Sequence, residues 1–261
     1  LLDRDPLAFR WIYPLLGVLG FGYPLVLSRL PRPIAPPREV IMGPPAPPAA
    51  RPLATVLWQP FLDARDTFRR DRAYLWYQIN FTIYGVAFIM LVPVVPLYFT
   101  GELALDYQDI ARARILIGSL GIALLGPLAG QLMDRLHPVR LCALAFSWVT
   151  LFPLTLALGP TLLDLTATQT AYAAFVIYSV GMAGVNVTWN VGSIAFAPPG
   201  RGGHYQGIHV AMVGLRGVLA PVLGYLILTF LGYREVFLAA AGLFLTAGLS
   251  SAVLARRVKR D

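Results

Sequence analysis

Arg216 is the one basic side chain well inside a long apolar run of this sequence, and it follows His209 by seven residues. At 100° per residue the two share a helix face. An ionisable group inside a hydrophobic span costs about 2.5–3.5 kcal/mol on insertion scales, so it is kept for a task or held by a partner. An arginine so placed can grip an anionic solute group or a carboxylate in its planar fork. A histidine can titrate near neutral pH and pass a proton. The competing explanations are structural: Arg216 tied to helix-end carbonyls, and His209 in an interfacial position. Gly207 and Gly214 fall on the opposite face. That separation predicts glycines packed on a neighbouring helix, with the Arg216/His209 face turned to a cavity.

The preceding apolar run carries Ser179, Asn186, Asn190 and Ser193 along one stripe, with Trp189 beside it. Asn186 and Asn190 are i, i+4 neighbours and can present their amides together. An earlier run places Tyr77, Asn80 and Tyr84 at helical spacing, while Gln78 sits at its edge and is less informative. Buried amides need partners, whether solute, water or another helix. Each stripe therefore reads as interhelical glue or as one wall of a binding site. No clustered His, Asp and Glu of the kind a membrane-embedded enzyme requires is present, so no catalytic residue, metal or cofactor is expected. Cys142 is the only cysteine and has no partner for a disulfide. Gly17, Gly20 and Gly22 follow no strand and form no nucleotide loop.

The elements that must position these residues follow from composition. Only 13% of the 261 residues are charged and 57% are hydrophobic, where a soluble domain carries about 25% charged. A bilayer core needs about 20 mostly apolar residues per helix. Seven stretches qualify: 11–28, 75–99, 115–133, 141–158, 170–196, 208–231 and 236–255. They exceed the roughly 9–11 alternating residues of a barrel strand. The expected architecture is an all-α integral membrane protein: one transmembrane helix in 1–30, a Pro/Arg-rich linker in 31–72, and a six-helix domain with a short tail in 73–261. Nine prolines in 31–52 disfavour helix and sheet. Leu57 to Tyr74 mixes Trp58, Phe61, Leu62 and Phe68 with four arginines. It reads as a helix on the inner leaflet or as a polar lead-in to the next span.

Orientation follows from charge. Fifteen of the 21 Lys and Arg fall in alternate segments, among them Arg29, Arg65, Arg135, Arg140, Arg201 and Arg256. Cytoplasmic loops collect these residues, so the N-terminus is placed outside and the C-terminus in the cytoplasm of a multi-pass cell (inner) membrane protein. The net charge of +8 sits on connecting segments, not on a basic face with interleaved aromatics, and nucleic-acid binding is not expected. Lys259 is the only lysine and lies in the tail, which excludes a retinal Schiff base.

The third run ends Gly130-Gln-Leu-Met-Asp134-Arg135-Leu-His137-Pro138-Val-Arg140. The sequence Gly, three residues, Asp-Arg, a turn, then a basic residue resembles the signature loop of the major facilitator superfamily. Gly130, Asp134, Arg135 and Arg140 match it; His137-Pro138 replaces the usual turn glycine. Independently of the family, Gly130 allows close helix approach. Asp134 and Arg135 can make charge-assisted hydrogen bonds to a neighbouring helix end that latch one conformation and break in another. Gly217-Val-Leu-Ala-Pro221-Val-Leu-Gly224 resembles a Gly/Pro-rich stretch at the corresponding helix of many members. The resemblance implies two pseudo-symmetric six-helix halves with solute bound between them. It places residues 75–255 as helices seven to twelve, after the last helix of the N-terminal half and the central loop. The rival assignment, to the N-terminal half, is less favoured because the signature loop is usually sharper there. The chain opens Leu1-Leu2 and reads as part of a longer carrier. The expected partners are the bilayer, a small-molecule substrate and the other half. The expected function is secondary transport by alternating access, with H⁺ as the candidate driving ion. A stand-alone seven-helix receptor without retinal is the alternative.

Overall fold

Hydropathy this sustained folds as helix, because a chain without water must satisfy every backbone N–H and C=O internally. The computed structural model describes residues 7, 9–29 and 53–258, apart from the side chains of 9, 21, 23–25, 27 and 53–61. No strand occurs among them. The helices are α1 (Phe9–Ser28) and α2 (Leu53–Arg70), then α3 (Arg72–Glu102), α4 (Tyr107–Arg135), α5 (Pro138–Leu162), α6 (Ala167–Val191), α7 (Gly202–Leu231) and α8 (Tyr233–Arg257). The expected proline linker over 31–52 lies outside the described residues, as do Lys259 and Arg260 of the tail.

The chain divides into two compact units, Leu1–Val56 and Leu57–Asp261. In the first, α1 is a 20-residue helix over the expected first span. In the second, α3 to α8 are each long and apolar enough to cross a membrane.

Local chemistry sets where these helices begin. The Asp71 carboxylate accepts the Tyr74 N–H at 2.8 Å and starts α3, so the amphipathic helix expected to reach Tyr74 ends at Arg70. Tyr74 is instead fully buried in α3, with its ring 5.8 Å from Phe68. Thr166 and Gln169 form a reciprocal capping box at the start of α6. Gly232, at φ 105°, makes the turn between α7 and α8 in a conformation that side-chain-bearing residues avoid. The apolar run 170–196 is not one helix. It stops at Val191, and Ile194–Phe196 forms a 3₁₀ turn before Pro198 and Pro199, which cannot extend a helix. Two segments wind as π-helix: Tyr98–Glu102, after Pro93 and Pro96 of α3, and Arg112–Ser119 in α4.

Packing within the second unit has internal symmetry. α3 packs on α7 and α8, α6 packs on α4 and α5, and α5 packs on α8. Exchanging the triplet α3–α4–α5 with α6–α7–α8 maps this set of contacts onto itself, the pattern of a repeated three-helix unit. Glycines set the closest crossings. A Cβ at Gly118 would lie 2.8 Å from Phe175 and one at Gly121 2.7 Å from Ser179, where α4 meets α6. Two helices are left partly uncovered: only 11% of the apolar window of α4 and 17% of that of α7 is buried, against 44–61% in the other four.

Candidate functional site

The polar residues of α3 and α7 meet in one buried seam. Arg216 is 5% exposed and His209 fully enclosed. The Arg216 Nη1 donates to the Phe81 carbonyl, and its Nε has no partner. A Cβ at Gly85 would overlap the guanidinium, so the missing side chain there makes the room it occupies. His209 Nδ1 and Gln78 Oε1 are 3.0 Å apart, and the amide of Gln78 continues to Ser193 Oγ at 3.4 Å. His209 Nε2 is unpartnered. Asn80, 1% exposed, has neither amide atom bonded.

This reverses the packing expected from the helix wheel. The Arg216/His209 face is turned into the bundle against α3, and the glycines are on the open side. No described atom lies within 4 Å of a Cβ built on Gly207, Gly214 or Gly217. The physical reason is polar satisfaction: α3 offers the Gln78 amide and the Phe81 carbonyl, and the apolar surroundings offer nothing. Gln78, set aside in the sequence as an edge residue, is the junction of the seam. Its signal was the spacing of Gln78, Phe81 and Gly85, a stripe that ends in a glycine.

The aromatic members hold the seam's shape. Tyr77 donates to the Thr188 carbonyl at 2.9 Å, and its ring stands 6.5 Å from His209. Tyr84 stacks on Phe146 at 4.4 Å and donates to Met182 Sδ at 3.2 Å. Trp189, half-buried, sets its ring edge-on to His209 at 5.9 Å. The α6 stripe divides. Ser179 and Ser193 are buried, whereas Asn186 and Asn190 are exposed, with the Asn190 amide donating to the Asn186 carbonyl at 2.7 Å. The structure thus joins Arg216, His209, Trp189, Tyr77 and Tyr84 in one region, buries Asn80 on α3 with its amide unbonded, and leaves Asn186 and Asn190 on an open face.

At the far end of α4, Asp134, Arg135 and Arg140 are exposed around a tight turn. Leu136 is extended, His137 caps α5 by accepting the Val139 N–H at 3.3 Å, and Pro138 occupies the first helical turn. Gly130 does not serve a close approach within this unit, since no described atom lies within 4 Å of its built Cβ. The His137 ring packs edge-on to Phe196 at 5.5 Å. Partial burial, then the neighbouring Arg140 charge, lowers its pKa below the usual 6.5. The folded state therefore binds a proton less readily than the unfolded chain. The stabilisation from neutral His137 is complete above pH about 6.5 and is lost as pH falls toward the lowered folded value. Replacing His137 with asparagine keeps a capping acceptor and removes the titration. The fall in melting temperature between pH 7.5 and 5.5 is expected to be smaller in His137→Asn than in the parent protein; equal falls would contradict the assignment.

A family model described as Major Facilitator Superfamily matches residues 5–215. Among curated proteins and among solved structures, nothing matches.

Proposed function

The chain belongs to the major facilitator superfamily and is a multi-pass membrane transporter, and we propose that it carries a small solute by alternating access. A cation enclosed between α3 and α7 supports this reading. Arg216 makes no ion pair among the described residues and has one donor unsatisfied. Such a charge is costly in an apolar core and is best answered when an anionic group reaches it. In the proposed cycle α3 and α7 shift against each other, the guanidinium exchanges the Phe81 carbonyl for a solute anion or a facing carboxylate, and the Gln78–His209 link follows. Solute drives the change only by binding one arrangement better than the other. Where H⁺ powers the cycle, His209 or a carboxylate outside the described residues titrates, since Asp71, Glu102, Asp106, Asp109, Asp134, Asp164 and Glu235 stand near helix ends and Asp63 and Asp66 lie in α2, which is not among the six helices long and apolar enough to cross a membrane.

The uncovered faces of α4 and α7 seat the other half of the carrier, and Asn186 and Asn190 line the water-filled gap between the halves. The Asp134–Arg140 turn is cytoplasmic and the start of α4 is outside, in the cell membrane. A cysteine scan tests the gap. With the buried native thiol removed (Cys142→Ala), Asn186→Cys in the full-length carrier should react with a membrane-impermeant maleimide, faster when saturating solute changes the open side. Reaction with a lipid-soluble maleimide only would place Asn186 against acyl chains and end the reading.

A further inference from the structure

A second concave region adjoins the Arg216 seam, where α3, α4, α5 and α6 meet near the start of α4; Phe88 in its wall stacks on Tyr84 at 6.0 Å. It is a cavity of about 100 Å³ with walls of Phe88, Phe99, Phe152, Phe175 and Tyr178, and Arg114 is the one charged side chain lining it. Phe99 and Phe175 are buried and form its floor, while Val92 and Arg114 are exposed at its rim. Its shape comes from two local features. The first is the π-helical turn Arg112–Ser119, held where Ser119 Oγ donates to the Arg114 carbonyl at 3.2 Å. The second is Gly118, whose missing Cβ admits the Phe175 ring. Such π-turns are rare and concentrate at functional sites.

The charges of this turn are answered unequally. Arg112 pairs with Asp109 at 3.5 Å, and Asp109 is also bound by Thr168 and Tyr172. Arg114 has no ion pair among the described residues, and no acid lines the cavity. The result is an aromatic chamber with a single unanswered cation at its rim. An apolar cavity of about 150 Å³ holds benzene; this chamber, about 100 Å³ but open at its rim, takes one ring only with its edge at the opening, and not a pair of acyl chains. The guanidinium fork favours a planar carboxylate.

We propose that this pocket binds a small carboxylate carrying one aromatic ring or a compact branched alkyl group, the apolar part among Phe88, Phe99, Phe152, Phe175 and Tyr178 and the carboxylate on Arg114. The inference rests on the transport reading and names the class of solute. The test uses the full-length carrier in nanodiscs of zwitterionic lipid with benzoate as probe, and with acetate and benzyl alcohol as controls. Benzoate is expected to raise the melting temperature and to bind at least about tenfold more tightly than either control. Arg114→Gln, which removes the charge, and Val92→Trp, which fills the rim, should each abolish the benzoate shift. The proposal falls if both variants bind benzoate as the parent does, or if benzyl alcohol matches benzoate. It falls equally if phosphatidylglycerol in the disc, and not benzoate, gives an Arg114-dependent shift, because the site then takes a lipid headgroup. Flux through Arg216 variants is read separately: loss of benzoate binding leaves that result standing, and intact flux in Arg216→Ala would retire the transport cycle, and with it the claim that the bound carboxylate is the solute, while the binding itself stands on the benzoate result.

Discussion

Replacing Arg216 with alanine is expected to cut solute flux in the full-length carrier by about ten- to a hundredfold while membrane abundance stays unchanged. A hydrogen bond from a charged donor contributes roughly 1.5–3 kcal/mol, and each ~1.4 kcal/mol is a factor of ten. Stability moves little, because the substitution removes a desolvated cation together with its one hydrogen bond among the described residues, to the Phe81 carbonyl. Two further variants separate a structural tie from a solute contact. Arg216→Gln keeps a donor for the carbonyl but no charge; if the arginine only ties α7 to α3, it should transport normally. If the charge meets the solute, Gln fails as Ala does. Arg216→Lys keeps the charge without the fork and should fall between them. The measurement is initial uptake or efflux in proteoliposomes at matched protein content. Parent-level flux in Arg216→Ala would remove the seam from the transport cycle.

The second large effect is steric. A Cβ at Gly224 would lie 2.5 Å from both the Cγ and the carbonyl oxygen of Met90 and 3.1 Å from its carbonyl carbon. Met90 is fully buried, and its backbone belongs to the middle of α3, so relief requires the two helices to separate. Gly224→Ala should cost ~1–3 kcal/mol by overpacking and lower the melting temperature in detergent. It should also reduce flux, because the same α3–α7 crossing holds Arg216 over Gly85. Gly217→Ala is the matched control. It lies two turns earlier on the same helix, has nothing within 4 Å of its built Cβ, and should change stability by no more than about 0.5 kcal/mol. Equal melting of the two variants would show that the crossing is looser than described. Placed together, they test whether the Gly/Pro stretch of α7 acts through one glycine or through its composition.

Much of the architecture was legible in the chain. The apolar runs lie where the helices are, because hydropathy over about 20 residues is a local property and lipid leaves a backbone no alternative to helix. The caps at Asp71 and Thr166 were not read from the sequence, and the helix expected to run through to Tyr74 breaks at Asp71; His137-Pro138 was legible as a turn. The presence of Arg216 and His209 on one face was equally plain. Their direction was not, and neither were the roles of Gln78 and Gly85.

The reason lies in the solvent. In water a helix announces its buried side, because one face is apolar and the other polar. In a bilayer the acyl chains are as apolar as leucine, so the lipid-facing and protein-facing sides of α3 and α7 carry the same kinds of residue. The apolar runs and the signature turn are therefore written along the chain, while the helix limits are not, as the break at Val191 shows. The meeting of Arg216 with the Phe81 carbonyl, the Gln78 bridge from His209 to Ser193, and the aromatic chamber under Arg114 exist only once six helix axes have settled against one another. Each depends on contacts between residues tens to more than a hundred positions apart, and those distances are set by packing rather than by any local pattern.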